Sequence, residues 1–107
     1  MLNNCVFVGV LLEEPTERET ASGAKFQNIL LGVKRPFKNP EGVYDEDRIR
    51  ITIWKSDATK LLDYAKAGSI LAVKGRLQSN RYEKDDKVYL NYEVYGEKIS
   101  LISQNNA

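Results

Sequence analysis

The residues best suited to chemistry lie in one seven-residue segment, 48–54, which is Arg-Ile-Arg-Ile-Thr-Ile-Trp. Successive side chains of a β-strand point to opposite faces, so the isoleucines would share one face and the polar residues and the tryptophan the other. If the isoleucines are buried, the chain's only tryptophan, Trp54, is exposed beside Arg48 and Arg50. An exposed aromatic ring beside guanidinium groups is suited to stacking unpaired bases and neutralising the adjacent phosphates. The alternative is a tryptophan at a sheet edge that lies against a loop of its own chain.

Two more aromatic residues have basic neighbours. Phe37 precedes Lys38, and Tyr82 follows Arg81. The alternatives are that Phe37 fills the interior of its own loop and that Tyr82 belongs to the stem of a hairpin. Taken together, the sequence predicts a basic and aromatic surface whose candidate stacking residues are Phe37, Trp54 and Tyr82. The candidate phosphate-binding residues are Lys34, Arg35, Lys38, Arg48, Arg50, Lys55, Arg76 and Arg81.

The composition argues against an enzyme. The chain has no histidine, so nucleophilic pairs that use histidine as the base are impossible. The single cysteine, Cys5, lies in an apolar run and is predicted to be a small core residue. The acidic run Asp45-Glu46-Asp47 could hold a divalent cation, but a solvated hairpin that protects a sheet edge is the preferred interpretation. We therefore expect no catalytic residue, no metal site and no cofactor.

Length and charge predict one small domain. The 107 residues carry 16 basic and 15 acidic side chains, a net charge of +1, so a basic surface must come from local segregation of charge. We expect a domain over residues 1–103 and a short end over 104–107. No signal sequence or membrane-length apolar run is visible, which predicts a soluble cytoplasmic protein.

The order of predicted elements indicates the fold class. Apolar or alternating segments predict strands over about 5–12, 25–34, 47–55, 70–78 and 88–102, and a short helix begins at Ser56 and ends before Gly68. This is an all-β chain with the helix between the third and fourth strands, the order of an OB-fold, a five-stranded Greek-key barrel. OB-folds also bind sugars or act as protein-interaction modules, so the fold alone does not assign a function.

Periodicity also predicts which residues fill the core. Gly9 and Gly96 are expected at bends of their strands. The last strand should point four side chains inward, namely Val88, Leu90, Tyr92 and Val94. Phe7, Phe26, Tyr64 and Tyr92 are predicted core aromatics, whereas Tyr44, Tyr89 and Tyr95 are not assigned to either face.

Short motifs over nearly the whole chain resemble one family. They are Val8-Gly9-x-Leu11, Pro15, Ser22-Gly23, Lys34-Arg35-Pro36-Phe37-Lys38-Asn39 with Gly42, Trp54-Lys55, Gly68-Ser69, Gly75-Arg76-Leu77-Gln78 and Tyr82. In this order and spacing they are similar to bacterial and phage single-stranded DNA-binding proteins. The resemblance implies an OB-fold, homotetramers or dimers formed partly through the first strands, and sequence-tolerant binding of single-stranded DNA in replication, repair and recombination.

The resemblance also assigns roles to residues and shows where this chain departs from the family. The family's stacking positions fall on Phe37, Trp54 and Tyr82, and a fourth, usually aromatic, falls on Arg48. Arginine can stack on a base and pair with a phosphate. Family members commonly have a long tail with an acidic tip that recruits replication partners, and this sequence ends at Ser103-Gln104-Asn105-Asn106-Ala107 without such a tip. A naturally short form and a trimmed form are both alternatives, so the resemblance assigns no tail-mediated partner. A tail-less primosomal OB protein and an OB protein-interaction module are the alternatives.

Overall fold

The computed structural model describes residues 1–54 and 62–103. Their six strands form one sheet that closes into a barrel. The strands are β1 (Cys5–Leu11), β2 (Thr16–Glu19), β3 (Lys25–Lys38), β4 (Tyr44–Trp54), β5 (Ile70–Lys84) and β6 (Lys87–Ser103). Their order is β1-β5-β6-β4-β3-β2, and β1 also pairs with β3, which closes the barrel. All neighbours are antiparallel except β4 and β6. The all-β OB-fold class predicted from the sequence is confirmed.

The closure depends on a glycine in β1. This strand pairs with β5 over residues 5–10 and with β3 through Val10 and Leu11, so it must bend from one partner to the other. A Cβ atom at Gly9 would collide with the backbone carbonyl of Gly32 in β3. A residue without a side chain is therefore required where the two ends of the sheet approach each other.

The barrel interior is filled by branched aliphatic residues that alternate along the strands. The fully buried apolar side chains come from β1, β3, β4 and β5, and they are Leu11, Ile29, Leu31, Ile51, Ile53, Leu71 and Val73. Ile49 and Val94 pack against this core from the barrel's edge. The predicted alternation in β4 is thus confirmed, because its isoleucines face inward and its even-numbered residues face outward.

The β5–β6 hairpin extends beyond the barrel, which overturns part of the predicted core. The two strands pair continuously to Lys84 and Lys87, so the loop consists of Asp85 and Asp86, both with positive φ, rather than the whole segment 81–87. Val88, Leu90 and Tyr92 are exposed, not buried. They alternate as core residues do, but they lie where the hairpin extends past the barrel, and none of the three belongs to the core cluster of the described residues.

One strand and two side chains also differ from the predictions, and most of one predicted helix falls outside the described residues. The short, exposed strand β2, which pairs with β3, was not predicted. Tyr64 is exposed and Cys5 is only half-buried, outside the core cluster. Most of the predicted helix lies outside the described residues, and the part described, from Leu62, contains one i→i+3 turn closed by the Ala65 amide. In the two described ranges, no helix combines the length and hydropathy needed to cross a membrane.

Candidate nucleic-acid interface

Trp54 lies at the end of β4 on the outer face of the barrel, with 45% of its surface exposed. Its partner in β3 is Phe26, whose ring centroid lies 5.2 Å away at an interplanar angle of 59°. Phe26 was predicted to be a core residue, but it is half-buried and supports one side of the tryptophan instead. This contact restricts the Trp54 ring and leaves part of its surface accessible to a ligand.

Side chains of four strands meet in one row beside Trp54. Thr52 of β4 pairs with Asn28 of β3 and with Tyr95 of β6, and Tyr95 pairs with Arg76 of β5. The Thr52 hydroxyl donates a hydrogen bond of 3.1 Å to Asn28 Oδ1. The Arg76 guanidinium carbon lies 5.0 Å from the centroid of the Tyr95 ring. The predicted phosphate-binding residue Arg76 is thereby brought onto the same face as Trp54.

A cleft of about 520 Å³ opens on this face over β3, β4 and β6. β6 contributes Tyr92, Glu93 and Tyr95, and the rest of the lining is Thr20, Phe26, Asn28, Arg50, Thr52 and Trp54. The size lies within the range of small-molecule sites, and an accessible aromatic ring at its edge is suited to a planar ligand.

The Glu93–Tyr95 pair was not found by sequence reasoning. The Tyr95 hydroxyl donates a hydrogen bond of 2.6 Å to Glu93 Oε2. This bond, with burial and the nearby negative charge, raises the pKa of Tyr95 above its ordinary value, so the hydroxyl keeps its proton at neutral pH. The sequence shows only that Glu93 and Tyr95 lie on the same face of a strand. It does not show that this strand, β6, pairs in parallel with β4, and that pairing brings the two residues to the cleft.

Arg48 and Arg50 project from the Trp54 face of β4, as the alternation predicts. Arg48 Nε lies 3.8 Å from Glu46, and Arg50 Nη1 lies 3.4 Å from Glu13. Both guanidinium groups are more than half exposed. Arg48 also pairs with Gly32, and the Glu46 carboxyl covers this glycine, within 3 Å of the place where a Cβ would lie. The Arg48 side chain is accessible from solvent, with that carboxylate beside it.

The Arg35 side chain, from β3, lies on the opposite face of the sheet from those of Arg48 and Trp54. Its guanidinium donates hydrogen bonds of 2.8 and 3.1 Å to Asp47 and lies 3.7 Å from Asp45. The hydrogen bond from Arg35 lowers the pKa of the Asp47 carboxyl. Asp45 and Asp47 thus face Arg35, whereas Glu46 faces Arg48, so the acidic run is divided between two faces of the strand.

Phe37 and its basic neighbours lie at the far end of β3, beside the β3–β4 turn. The pairing of β3 with β4 is irregular between Lys34 and Lys38, and Phe37, predicted in a loop, belongs to the strand. Its ring is 62% exposed. Lys38 Nζ lies 5.7 Å from the centroid of the Tyr44 ring. This end of the sheet therefore presents a second exposed aromatic and basic surface.

Tyr82 lies on the hairpin arm and stacks on a residue of the opposite strand. Its ring centroid is 5.3 Å from that of Tyr89, with an interplanar angle of 19°. Arg81 points to the other face of the arm, where it lies 3.5 Å from Glu83. Phe37 and Tyr82 do not line the cleft beside Trp54, and Lys55 lies outside the described residues.

Both the sequence and the fold are similar to those of known proteins. The family model described as "Single-strand binding protein family" matches residues 2–102. A single-stranded DNA-binding protein of Enterococcus faecalis is 38% identical over all of this chain and 57% of its own length. Single-stranded DNA-binding protein 3 of Listeria innocua is 35% identical over all of this chain and 69% of its own. The chain thus spans little more than half of the Enterococcus relative.

Solved structures share the fold at low sequence identity. A deletion mutant of the single-stranded DNA binding protein from Thermus aquaticus has a TM-score of 0.74 and 24% identity, over 95% of this chain and 51% of its own. A Plasmodium falciparum SSB in complex with ssDNA has a TM-score of 0.72 and 20% identity, over 96% of this chain and 95% of its own. At these identities the likeness establishes the barrel and its strand order.

Proposed function

The chain belongs to the single-strand binding protein family, and from this premise we propose that it binds single-stranded DNA with little sequence preference overall, without catalysing a reaction. The observation that carries the proposal is the accessible ring of Trp54, supported by Phe26 and set beside Arg50 on the outer face of the barrel. Stacking on such a ring requires an unpaired base, which a duplex does not offer.

The proposed DNA path follows the exposed aromatic residues. Bases would stack on Trp54 and, further along the strand, on Phe37 and Tyr82, with Arg48 as a fourth stacking residue. Arg50 and Arg76 on the Trp54 face would contact phosphates. Lys34, Lys38, Lys55 and Arg81 extend the proposed phosphate contacts, and Arg35 belongs to them only if DNA competes with Asp47 for its guanidinium. Each stacked base would contribute about 1–3 kcal/mol.

The cellular roles follow from the same ligand. We propose that the protein covers single strands during replication, repair and recombination, in the compartment where DNA is exposed in bacteria, the cytoplasm. Self-association through β1 is part of this proposal, because Val6 and Val8 on its outer face are 69% and 54% exposed. A mass measurement in solution for the wild type and for Val8→Glu would test it: a tetramer or dimer that dissociates in the variant supports β1 as the interface.

A titration with single-stranded and duplex DNA tests the binding itself. We expect a thymidine oligonucleotide of about 30 residues to quench Trp54 fluorescence and to bind more tightly than a duplex of the same length at moderate salt. Equal affinities for the two would contradict the proposal and favour the alternative in which this OB face binds a protein segment.

A further inference from the structure

A carboxylate lies in the cleft that is proposed to hold DNA. Glu93 lines this cleft together with Trp54 and Arg50. Its negative charge repels phosphate and so offsets part of the attraction that Arg50 provides. A carboxylate at this position is useful when it accepts hydrogen bonds from the edge of a base. This inference rests on the proposed function, and it concerns which base the cleft selects.

The carboxylate is held in place by its neighbours. The Tyr95 hydroxyl donates to Oε2, and the Tyr95 ring is itself fixed against the Arg76 guanidinium. One hydrogen bond to Oε2 leaves Oε1 able to accept from a ligand, and Oε2 keeps a second lone pair that can also accept. A carboxylate whose orientation is fixed before binding loses less side-chain entropy when it accepts a ligand's hydrogen bonds.

Asn28, which lines the same cleft from β3, supplies a donor. Because the Thr52 hydroxyl donates to Asn28 Oδ1, the hydrogen bond orients the amide and leaves the two Nδ2 protons as the groups that can donate. The cleft therefore offers an aromatic ring for stacking, a carboxylate that accepts and an amide that donates.

We propose that this cleft is a base-selective subsite that prefers guanine over the other bases and disfavours thymine. Guanine presents two adjacent donors on its Watson–Crick edge, N1–H and N2–H₂, which match the two oxygens of a carboxylate, and beside them O6, which can accept from an amide. Thymine presents a single N–H between two carbonyl oxygens, which a carboxylate repels. Adenine and cytosine each present one amino group beside a ring-nitrogen acceptor, so they match the carboxylate less well.

The test compares three oligonucleotides of about 15 residues, near the upper site size of one OB-fold. One is all thymidine, the second has a single central guanine, and the third has hypoxanthine there, which lacks the N2 amino group. For the wild type, we expect the guanine oligonucleotide to bind about five- to tenfold more tightly than the thymidine one, with hypoxanthine between them. Anisotropy of a fluorescent 5′ label measures all three.

The variants separate base selection from binding. In Glu93→Gln the guanine-to-thymidine ratio should fall towards one while affinity for the thymidine oligonucleotide is retained or increased. Tyr95→Phe, which removes only the hydroxyl that holds the carboxylate, should lower the ratio partially. Glu97→Gln removes a carboxylate from the same strand outside the cleft and should leave the ratio unchanged.

Two results would overturn the inference while the proposed function stands. The first is a guanine-to-thymidine ratio near one in the wild type, and the second is a ratio that Glu93→Gln leaves unchanged. If the wild type failed to bind the thymidine oligonucleotide at all, the proposed function would fail, and the base-selective subsite with it.

Discussion

Replacing Trp54 with alanine should remove one stacked base from the complex with single-stranded DNA. Stacking on an aromatic side chain is worth about 1–3 kcal/mol per base. Phe26 contacts one side of this ring at 5.2 Å and 45% of the residue is exposed, so a base has access to only part of the ring. We therefore expect a loss in the lower half of that range, about 1–2 kcal/mol, or roughly 5- to 30-fold in Kd.

The assay must not use the tryptophan as its probe, since the variant lacks it. Anisotropy of a labelled thymidine oligonucleotide serves instead, with Tyr64→Ala as the control, because Tyr64 is an exposed aromatic outside the cleft. Trp54→Phe keeps a ring and should recover most of the affinity. Loss of the Phe26 contact should also lower the free energy of unfolding by about 0.5–1.5 kcal/mol, so affinities are compared below the onset of melting. Equal Kd values for Trp54→Ala and Tyr64→Ala would refute the stacking role.

Three further substitutions test the charged residues. Arg48→Lys keeps the positive charge but loses the planar guanidinium. If Arg48 stacks on a base, the variant should bind DNA about fivefold more weakly, with an unchanged slope of log K against log salt. An unaltered Kd would show that Arg48 only contacts a phosphate. Arg50→Ala should lower the slope of log K against log salt by less than the roughly 0.7 of an unpaired cation, because Glu13 lies 3.4 Å from its guanidinium. Arg35→Ala should lower the slope still less, because Asp47 holds that guanidinium by hydrogen bonds, and equal slopes for the two variants would contradict this difference. In the folded state the pKa of Asp47 is lowered from its ordinary value of 3.8. The pairing of Asp47 with Arg35 therefore stabilises the fold above pH 3.8, and this stabilisation is lost as the pH falls through the lowered pKa. The stability advantage of the wild type over Asp47→Asn, measured by denaturant unfolding, should therefore shrink from pH 6 to pH 3.

The sequence predicted the barrel well where a strand has one buried face. In β4 the alternation of isoleucine with polar residues located both the core and the face of Trp54, because burial on one side enforces a period of two. The same pattern failed on the hairpin arm. Val88, Leu90 and Tyr92 alternate in the same way but are exposed. Their burial depends on how far the β5–β6 hairpin extends past the barrel, and the local sequence pattern does not encode that length.

The cleft could not be predicted because it depends on long-range pairing. Tyr95 lies beside Thr52 only through the parallel register of β6 with β4, and this brings Glu93 of β6 into the cleft that Trp54 also lines. In the same way, Arg35 reads as a free cation in the sequence, and only the register of β3 with β4 shows that Asp47 lies next to it. The kinds of residues at the site were visible in the sequence, whereas their partners required the strand order.

The ion pairs of the arginines bear on how the protein would hold DNA. Arg48, Arg50 and Arg81 each lie within 4 Å of a glutamate, and the net charge is +1. A phosphate that binds such an arginine displaces or shares a carboxylate of the protein, so it gains less than it would from an unpaired cation. The slope of log K against log salt should then be smaller than the number of arginines on the DNA path implies. A larger part of the affinity would come from stacking on Trp54, Phe37 and Tyr82, which salt screens little.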